Sequence, residues 1–242
     1  MRYCITGSGT LGSALIKRLQ GKDVIVYSND EYVQSELARK YPYAKYWLGD
    51  VRDLERLKDA CSDVDVIIHT AAQKRMDTAS QNAFEVADVN IRGTYNVCLA
   101  GKGKKVIFVS TDKAFNPSCI YGASKMIAEG IALAHKAVVW RFGNFIGSRG
   151  SVWEIFADQA KNGQKLTVTD PNASRFVIEV EEVCDHLLSD VEPGLHYPEN
   201  LKIMTVAEIA KQVAPDSEWE IVGLREGEKL YEEFNNEYNS KL

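Results

Sequence analysis

The sequence predicts an α/β protein: a doubly wound parallel sheet followed by a small C-terminal lobe. Three observations carry this expectation. Apolar strand runs alternate with amphipathic helices over about the first 140 residues. A glycine-rich turn, Gly7-Ser8-Gly9-Thr10-Leu11-Gly12, joins the first strand to the first helix. Beyond Arg141 the texture changes to a glycine loop and short strands. The expected division is a Rossmann-like nucleotide-binding core at 1–145 and a substrate-binding lobe at 146–242, with a segment near 175–198 returning to the core.

The elements follow in order. Arg2-Tyr3-Cys4-Ile5 is a short strand, and Leu11, Leu15, Ile16 and Leu19 mark the apolar face of the next helix. A strand, a glycine turn and a helix form the context in which Gly-x-Gly-x-x-Gly binds a dinucleotide. Glycines let the backbone approach a pyrophosphate, and the helix N-terminus offers oriented N–H groups. The alternative is a turn that is merely rich in glycine. Val24–Tyr27 is a second strand ending at Ser28-Asn29-Asp30. Ser28 and Asn29 are neutral, which leaves room for a 2′-phosphate, so NADP is preferred and NAD stays possible. Asp30 sits where it can cap a helix over 32–40.

Residues 44–48 form a third strand, followed by Gly49-Asp50-Val51. Two readings stay open here: Asp50 faces the adenine, or Asp50 or Asp53 caps the following short helix. A fourth strand over 64–70 leads to Ala71-Ala72, small enough for a cofactor to lie against the backbone. His69 on that strand reads as a packed core residue. A long helix is expected over 84–100, with Asn90 a polar group on an apolar face that needs a partner. Further helices are expected at 153–162, 181–189 and 205–213, and strands at 137–141, 166–168, 175–178 and 219–222.

Composition limits the function. The 242 residues are 45% hydrophobic and carry a formal charge of -5, which argues against nucleic acid as a partner. Cys4, Cys61, Cys98, Cys119 and Cys184 are widely spaced without a Cys-x-x-Cys pair, so no disulfide or metal framework is expected. No signal-like segment and no apolar run of about 20 residues occurs, so a cytoplasmic protein without membrane contact is expected.

The chemistry concentrates in Ser110–Lys125, reading STDKAFNPSCIYGASK after the apolar run 106–109. Thr111, Asp112 and Lys113 stand at a strand's carboxyl end, where open α/β sheets bind ligands. Tyr121 and Lys125 are four apart and share a helix face. Lys125 would lower the Tyr121 pKa, and the phenolate would take a proton from a substrate hydroxyl. Tyr41 and Lys45 repeat the spacing, but Pro42 breaks the helix between them. Asp112 and Lys113 are either a solvated ion pair or a further acid and base.

These motifs resemble a known family. Gly49–Asp53, Ala71–Lys74, Ser110–Lys125, Arg141–Asn144, Gly147–Ser151, Ser174–Phe176 and Arg225–Leu230 occur in the order found in the C5-inverting UDP-N-acetylglucosamine 4,6-dehydratases. These are extended short-chain dehydrogenase/reductases of the polysaccharide-biosynthesis group. The resemblance implies a redox-neutral loss of water, giving a UDP-linked 4-keto-6-deoxy-L-sugar for surface glycan or pseudaminic-acid-type biosynthesis. It implies Tyr121 as base at the 4-hydroxyl, Thr111 as its orienting partner, Lys113 as base at C5 and Asp112 as acid at C6. It implies Lys74, Asn144, Arg149, Arg175, Arg225 and Glu228 around the UDP-sugar, and a homo-oligomer. The family's loop is usually TGGTGxxG, one residue longer than the loop here, and its arginine after the second strand is replaced by Asn29. The alternatives are a sugar-nucleotide epimerase, a C5-retaining dehydratase and a non-catalytic NADP-binding regulator.

Overall fold

The computed structural model describes residues 1–76, 78–199 and 201–241. Its centre is a seven-stranded parallel sheet built from β1 (Arg2–Thr6), β2 (Asp23–Ser28), β3 (Lys45–Leu48), β4 (Val66–His69), β5 (Lys105–Thr111), β6 (Val138–Phe142) and β10 (Gly194–His196). The order is β10-β6-β5-β4-β1-β2-β3, so strand order reverses between β1 and β4. That switch point opens a crevice at the carboxyl ends of the strands.

Alternation along each strand sorts the core into two layers. Ile5, Ile107, Val138 and Trp140 pack on one face with α1 (Thr10–Arg18), α2 (Glu31–Lys40) and α8 (Val180–Leu187). Cys4, Phe108 and Val139 pack on the other with α3 (Leu54–Cys61), α5 (Gly93–Ala100) and α6 (Ile120–Ala134). Ile5, Leu15, Ile16 and Ile67 are fully buried, each contributing roughly 1.5–3 kcal/mol.

Asp30 caps α2 by accepting from the Val33 N–H, as the sequence suggested. Asp53, not Asp50, caps α3. The expected long helix is broken in register: α4 (Ala83–Ala87) runs into a π-helical turn, Asp88–Arg92, and then α5. Such turns aim side chains out of the ordinary helical repeat, and this one carries Asn90.

The smaller lobe has its own core of Trp153, Phe156, Leu166, Val177, Met204 and Ile209. It draws on α7 (Val152–Lys161), α9 (Val206–Val213), the pair β8 (Leu166–Val168) with β12 (Trp219–Ile221), and a second sheet. That sheet joins β7 (Asn144–Phe145), β9 (Ser174–Ile178) and β11 (Lys202–Thr205). The segment after α8 returns to the main sheet as β10, beside β6. β7, β10 and β11 span only two to four residues, too few for a periodic signal in the sequence. Among the described residues no helix is long and apolar enough to cross a membrane.

Candidate active site

At the switch point, the glycine turn is shaped by contacts that no side chain could share. Gly7 has φ +102°, and a Cβ there would lie 2.7 Å from Thr70 Oγ1. A Cβ on Gly12 would lie 2.3 Å from the Gly7 carbonyl oxygen. Gly9 faces open space and is the N-cap of α1 without a side-chain cap. The first N–H groups of α1 therefore point into the crevice with positive dipole charge. Thr10 and Leu11 begin that helix, and the Ala71 backbone lies against Gly7. This cradle fits a dinucleotide pyrophosphate.

The end of β2 is tied to its neighbours. Ser28 Oγ lies 2.9 Å from Ser8 Oγ. Asn29 donates to Asp50 at 3.1 Å. Arg52 binds Asp50 through Nε and Nη2, at 2.9 and 2.7 Å. Hydrogen bonding from Arg52, with burial opposing, holds the Asp50 carboxyl below its ordinary range. Val51 is buried in the core, against Gly93. His69 is a core residue as expected, held between Thr6 and Thr94. Burial, with Lys125 acting the same way, lowers its pKa to about 3.

Asn90 finds the partners its buried position demands. Its Oδ1 accepts from the Gln73 N–H at 2.8 Å, and its Nδ2 donates to the Gln73 carbonyl and Ser124 Oγ, both at 2.9 Å. The amide thus clamps the Ala71-Ala72-Gln73 loop to α6, and its hydrogens are taken up inside the protein.

The polar cluster at the end of β5 is buried, not a solvated loop. Asp112 is wholly inaccessible. Its Oδ1 accepts from Thr111 Oγ1 at 2.9 Å and from Lys113 Nζ at 3.0 Å. Its Oδ2 is buried without a hydrogen-bond partner among the described residues. Lys113 also donates to Asn144 Oδ1 at 3.2 Å. Burial works against the Lys113 ammonium, but Asp112 and Glu232 outweigh it and hold the pKa above that of an ordinary lysine.

Helix α6 presents Tyr121, Lys125 and Glu129 on one face, one turn apart. Burial pushes the Tyr121 phenol up to about 12; Lys113 and a hydrogen bond with Thr111 pull it back, and Asp112 opposes them. This corrects the expectation that Lys125 activates the phenol: the cation acting on it here is Lys113. Lys125 donates to the Val109 carbonyl at 2.6 Å and stands 4.0 Å from the centre of the Phe108 ring. Burial lowers its own pKa to about 7, with Glu129 raising it. Beneath the site Glu129 is bound by Arg141 through Nε and Nη2 at 2.8 and 2.7 Å, and by Ser110 at 2.6 Å.

The residues expected around the sugar nucleotide fall into two groups. Lys74 donates to the Arg149 carbonyl at 2.8 Å, and the Arg149 N–H donates to Thr10 Oγ1 at 3.1 Å. The 147–150 loop is thereby stitched to the start of the first helix, and the Arg149 side chain is exposed. Arg175 and Glu228 instead form an ion pair of 2.7 Å, with Arg175 itself buried. The Arg175 fork is shared with Glu228 and is not free for a diphosphate. The Arg225 N–H donates to Glu228 at 3.2 Å, and its side chain is exposed.

One site residue was not singled out from the sequence. Glu232 is 2% exposed, and its Oε1 lies 3.4 Å from Lys113 Nζ. Its only sequence signal is weak: Leu230, Glu232 and Phe234 alternate, which puts an acid on an inward face. Among the described residues no group of three or more His, Cys, Asp or Glu could hold a metal ion.

Comparison with known proteins places these features. The model of the family described as "Polysaccharide biosynthesis protein" matches residues 4–241. A Campylobacter jejuni protein named UDP-N-acetylglucosamine 4,6-dehydratase (inverting) is 37% identical over 248 residues, covering 93% of this chain and 74% of the relative. A Rickettsia canadensis protein named UDP-glucose 4-epimerase is 32% identical over 254 residues, covering 93% of this chain and 74% of the relative. Among solved structures, Pen from Bacillus thuringiensis superposes with a TM-score of 0.90 at 30% identity, covering 96% of this chain and 80% of that one. DesIV, a dTDP-glucose 4,6-dehydratase from Streptomyces venezuelae, has a TM-score of 0.86 at 22% identity, covering 95% and 87%, and so shares the fold.

Proposed function

The chain belongs to the polysaccharide-biosynthesis family, and we propose that it removes water from the hexose of UDP-N-acetylglucosamine, acting as a 4,6-dehydratase that inverts C5. The observation that carries this reading is Asp112. A buried carboxylate has one oxygen fixed by Thr111 and Lys113 and the other without a hydrogen-bond partner among the described residues, next to the Tyr121 phenol. An oxidation at C4 alone needs one proton acceptor. An elimination also needs a base at C5 and an acid at the departing 6-hydroxyl, and Lys113 and Asp112 are of those types.

The residues would act in sequence. Tyr121 takes the 4-hydroxyl proton, with Thr111 orienting that oxygen. The resulting 4-ketone acidifies the C5 proton, which Lys113 removes. Lys113 passes that proton to Asp112, which delivers it to the 6-hydroxyl, and water leaves. A proton from solvent, added to C5 on the opposite face, completes the inversion. When bound, the nicotinamide dinucleotide supplies the hydride acceptor at C4 and the hydride donor at C6. Gly7, Gly9, Thr10, Leu11 and Gly12 would hold its pyrophosphate, and Ala71 and Ala72 would pack against it. Lys125 would hold the nicotinamide end, and Asn90 would fix the loop beside it. NADP is preferred because Ser28 and Asn29 are neutral. Lys74, Asn144 and Arg149 would hold the sugar nucleotide. Arg175, Glu228 and Arg225 would shape the lobe wall that closes over it.

A second reading, epimerisation at C4, is favoured by the similarity to the Rickettsia protein. It leaves Asp112 and Lys113 without a task. Incubation with UDP-N-acetylglucosamine in D2O, followed by NMR, separates the two. The expected product is a 4-keto-6-deoxy sugar carrying deuterium at C5, with C5 inverted. An unchanged C6 hydroxymethyl group would reject the dehydratase reading.

A further inference from the structure

The last residues of the chain strap back over the site. Phe234 is fully buried between Phe176, Tyr197 and Tyr238, with ring centroids 4.5 to 5.7 Å away. Its carbonyl accepts from Arg141 at 2.6 Å. The Glu232 N–H donates to Ser240 Oγ at 2.8 Å, and the Ser240 N–H returns a bond to the Glu232 carbonyl at 2.8 Å. Ser174 of β9 holds Ser240 in turn. Glu233 reaches Asn116, and Lys229 donates to the Phe115 carbonyl at 3.0 Å. Every one of these contacts fixes the backbone that carries Glu232. Its side chain meets the Asp112-Lys113 turn, where Oε1 faces Lys113 at 3.4 Å and Oε2 is buried without a hydrogen-bond partner among the described residues.

A base at C5 must be a free amine, yet Lys113 is set between two carboxylates that hold its proton. We propose that Glu232 is the proton acceptor for Lys113: it takes the ammonium proton and leaves the amine that deprotonates C5. The inference rests on the dehydratase reading. In the step, a Lys113 N–H bond breaks and a Glu232 O–H bond forms, with the electron pair left on nitrogen. That pair takes the C5 proton, and the C–H electrons pass into the enolate of the 4-ketone. No outside oxidant or reductant is needed.

Several groups bear on Glu232. Lys113 and Asp112 come from the turn after β5, Arg175 from β9 and Lys229 from the returning segment. Burial and Asp112 make Glu232 more basic than an ordinary glutamate, and the three cations only partly offset this. Asp112 is not that acceptor: it must stay open to receive the C5 proton from Lys113 and pass it to the departing hydroxyl. Glu232 acts through Lys113 and not on the sugar, so it is a positioning residue.

The test compares wild type, Glu232→Gln and Glu232→Asp with bound cofactor and UDP-N-acetylglucosamine. Melting temperature and circular dichroism check the fold. The amide keeps the shape but is no proton acceptor, so C5 deuterium exchange should fall about 100-fold or more, with KM near wild type. Oxidation at C4, read by nicotinamide absorbance, should persist. Proton transfer within the cluster takes nothing from solvent, so the wild-type exchange rate should be flat around neutrality. In Glu232→Gln it should climb with pH as Lys113 loses its proton to water. Glu232→Asp should restore part of the rate. Independently of turnover, the Glu232 carboxyl carbon should titrate above the ordinary glutamate range by NMR. A Glu232→Gln protein with the wild-type exchange rate and pH profile would overturn the inference while leaving the dehydratase reading intact. Wild type that leaves the substrate untouched would instead reject that reading.

Discussion

Gly122, at the start of α6, packs directly against the carbonyl of Lys113: a Cβ on Gly122 would stand 2.3 Å from that oxygen. This contact sets how near the helix bearing Tyr121 and Lys125 comes to the turn bearing Asp112 and Lys113. In an ordinary helix, glycine to alanine gains about 1 kcal/mol. Here the sign should reverse. Gly122→Ala must push the turn and the helix apart, costing roughly 1–3 kcal/mol. Displacement of the reacting groups should lower kcat about 100-fold with a smaller change in KM. Steady-state kinetics with a denaturant titration checks both parts. A stabilised variant of full activity would mean that the contact sets nothing.

Arg141 and Glu129 form the support under the site. Both are buried, and Arg141 also holds the Phe234 carbonyl of the returning strap. Removing one partner leaves a buried charge unpaired. Arg141→Met should cost about 3–5 kcal/mol, which is about 10 °C in melting temperature for a chain of this size. The double variant Arg141→Met, Glu129→Leu should recover much of that loss, since no charge is left stranded. Calorimetry of the two single variants and the double variant checks this.

The parts legible in the sequence were those whose signal is local. The glycine turn, its flanking strand and helix, and Ser110–Lys125 each fall in one continuous stretch, and the structure brings them to one end of one sheet. Tyr41 and Lys45 share the spacing of Tyr121 and Lys125, but Tyr41 is a core residue past the end of α2 and Lys45 begins β3. Local context, not spacing, made that distinction. The illegible parts depend on distant pairing. Nothing near Lys113 in sequence announces Glu232, and nothing near Arg175 announces Glu228. Asn90 was readable as a polar group in need of partners, but Gln73 and Ser124 were not readable as those partners.

Burial of His69 makes the fold sensitive to acid. Its pKa is lowered from 6.5 to about 3 in the folded chain. Unfolded chains therefore bind the extra proton first, and stability must fall as protons are added. The contribution is fully present above about pH 6.5 and is lost progressively toward pH 3. Its size is on the order of a few kcal/mol. Lys125, lowered to about 7, acts in a separate window between there and its ordinary value of 10.5. Denaturant titrations between about pH 7 and 4 should show a steep loss for wild type. His69→Asn should show a shallower one, whatever its stability at neutral pH.

Asp112→Asn separates the acid at C6 from the base at C5. Asparagine keeps the size of the side chain and can still accept from Thr111 and Lys113 through its oxygen. It cannot give up a proton to a departing hydroxyl. The loss of a general acid costs about 100- to 10,000-fold, so formation of the 6-deoxy product should fall by that factor. Tyr121 and its task at the 4-hydroxyl are untouched, so oxidation at C4 should still be seen as nicotinamide absorbance in a single turnover. Removal of the Asp112 charge also weakens the hold on the Lys113 proton, since Asp112 is the larger of the two attractions on it. Deuterium from solvent should therefore still enter C5 while the 6-hydroxyl stays in place. NMR of the recovered sugar nucleotide reads both positions at once. Exchange at C5 without elimination is the expected pattern. If both stop together, Asp112 serves to place Lys113, and the acid at C6 must be another group.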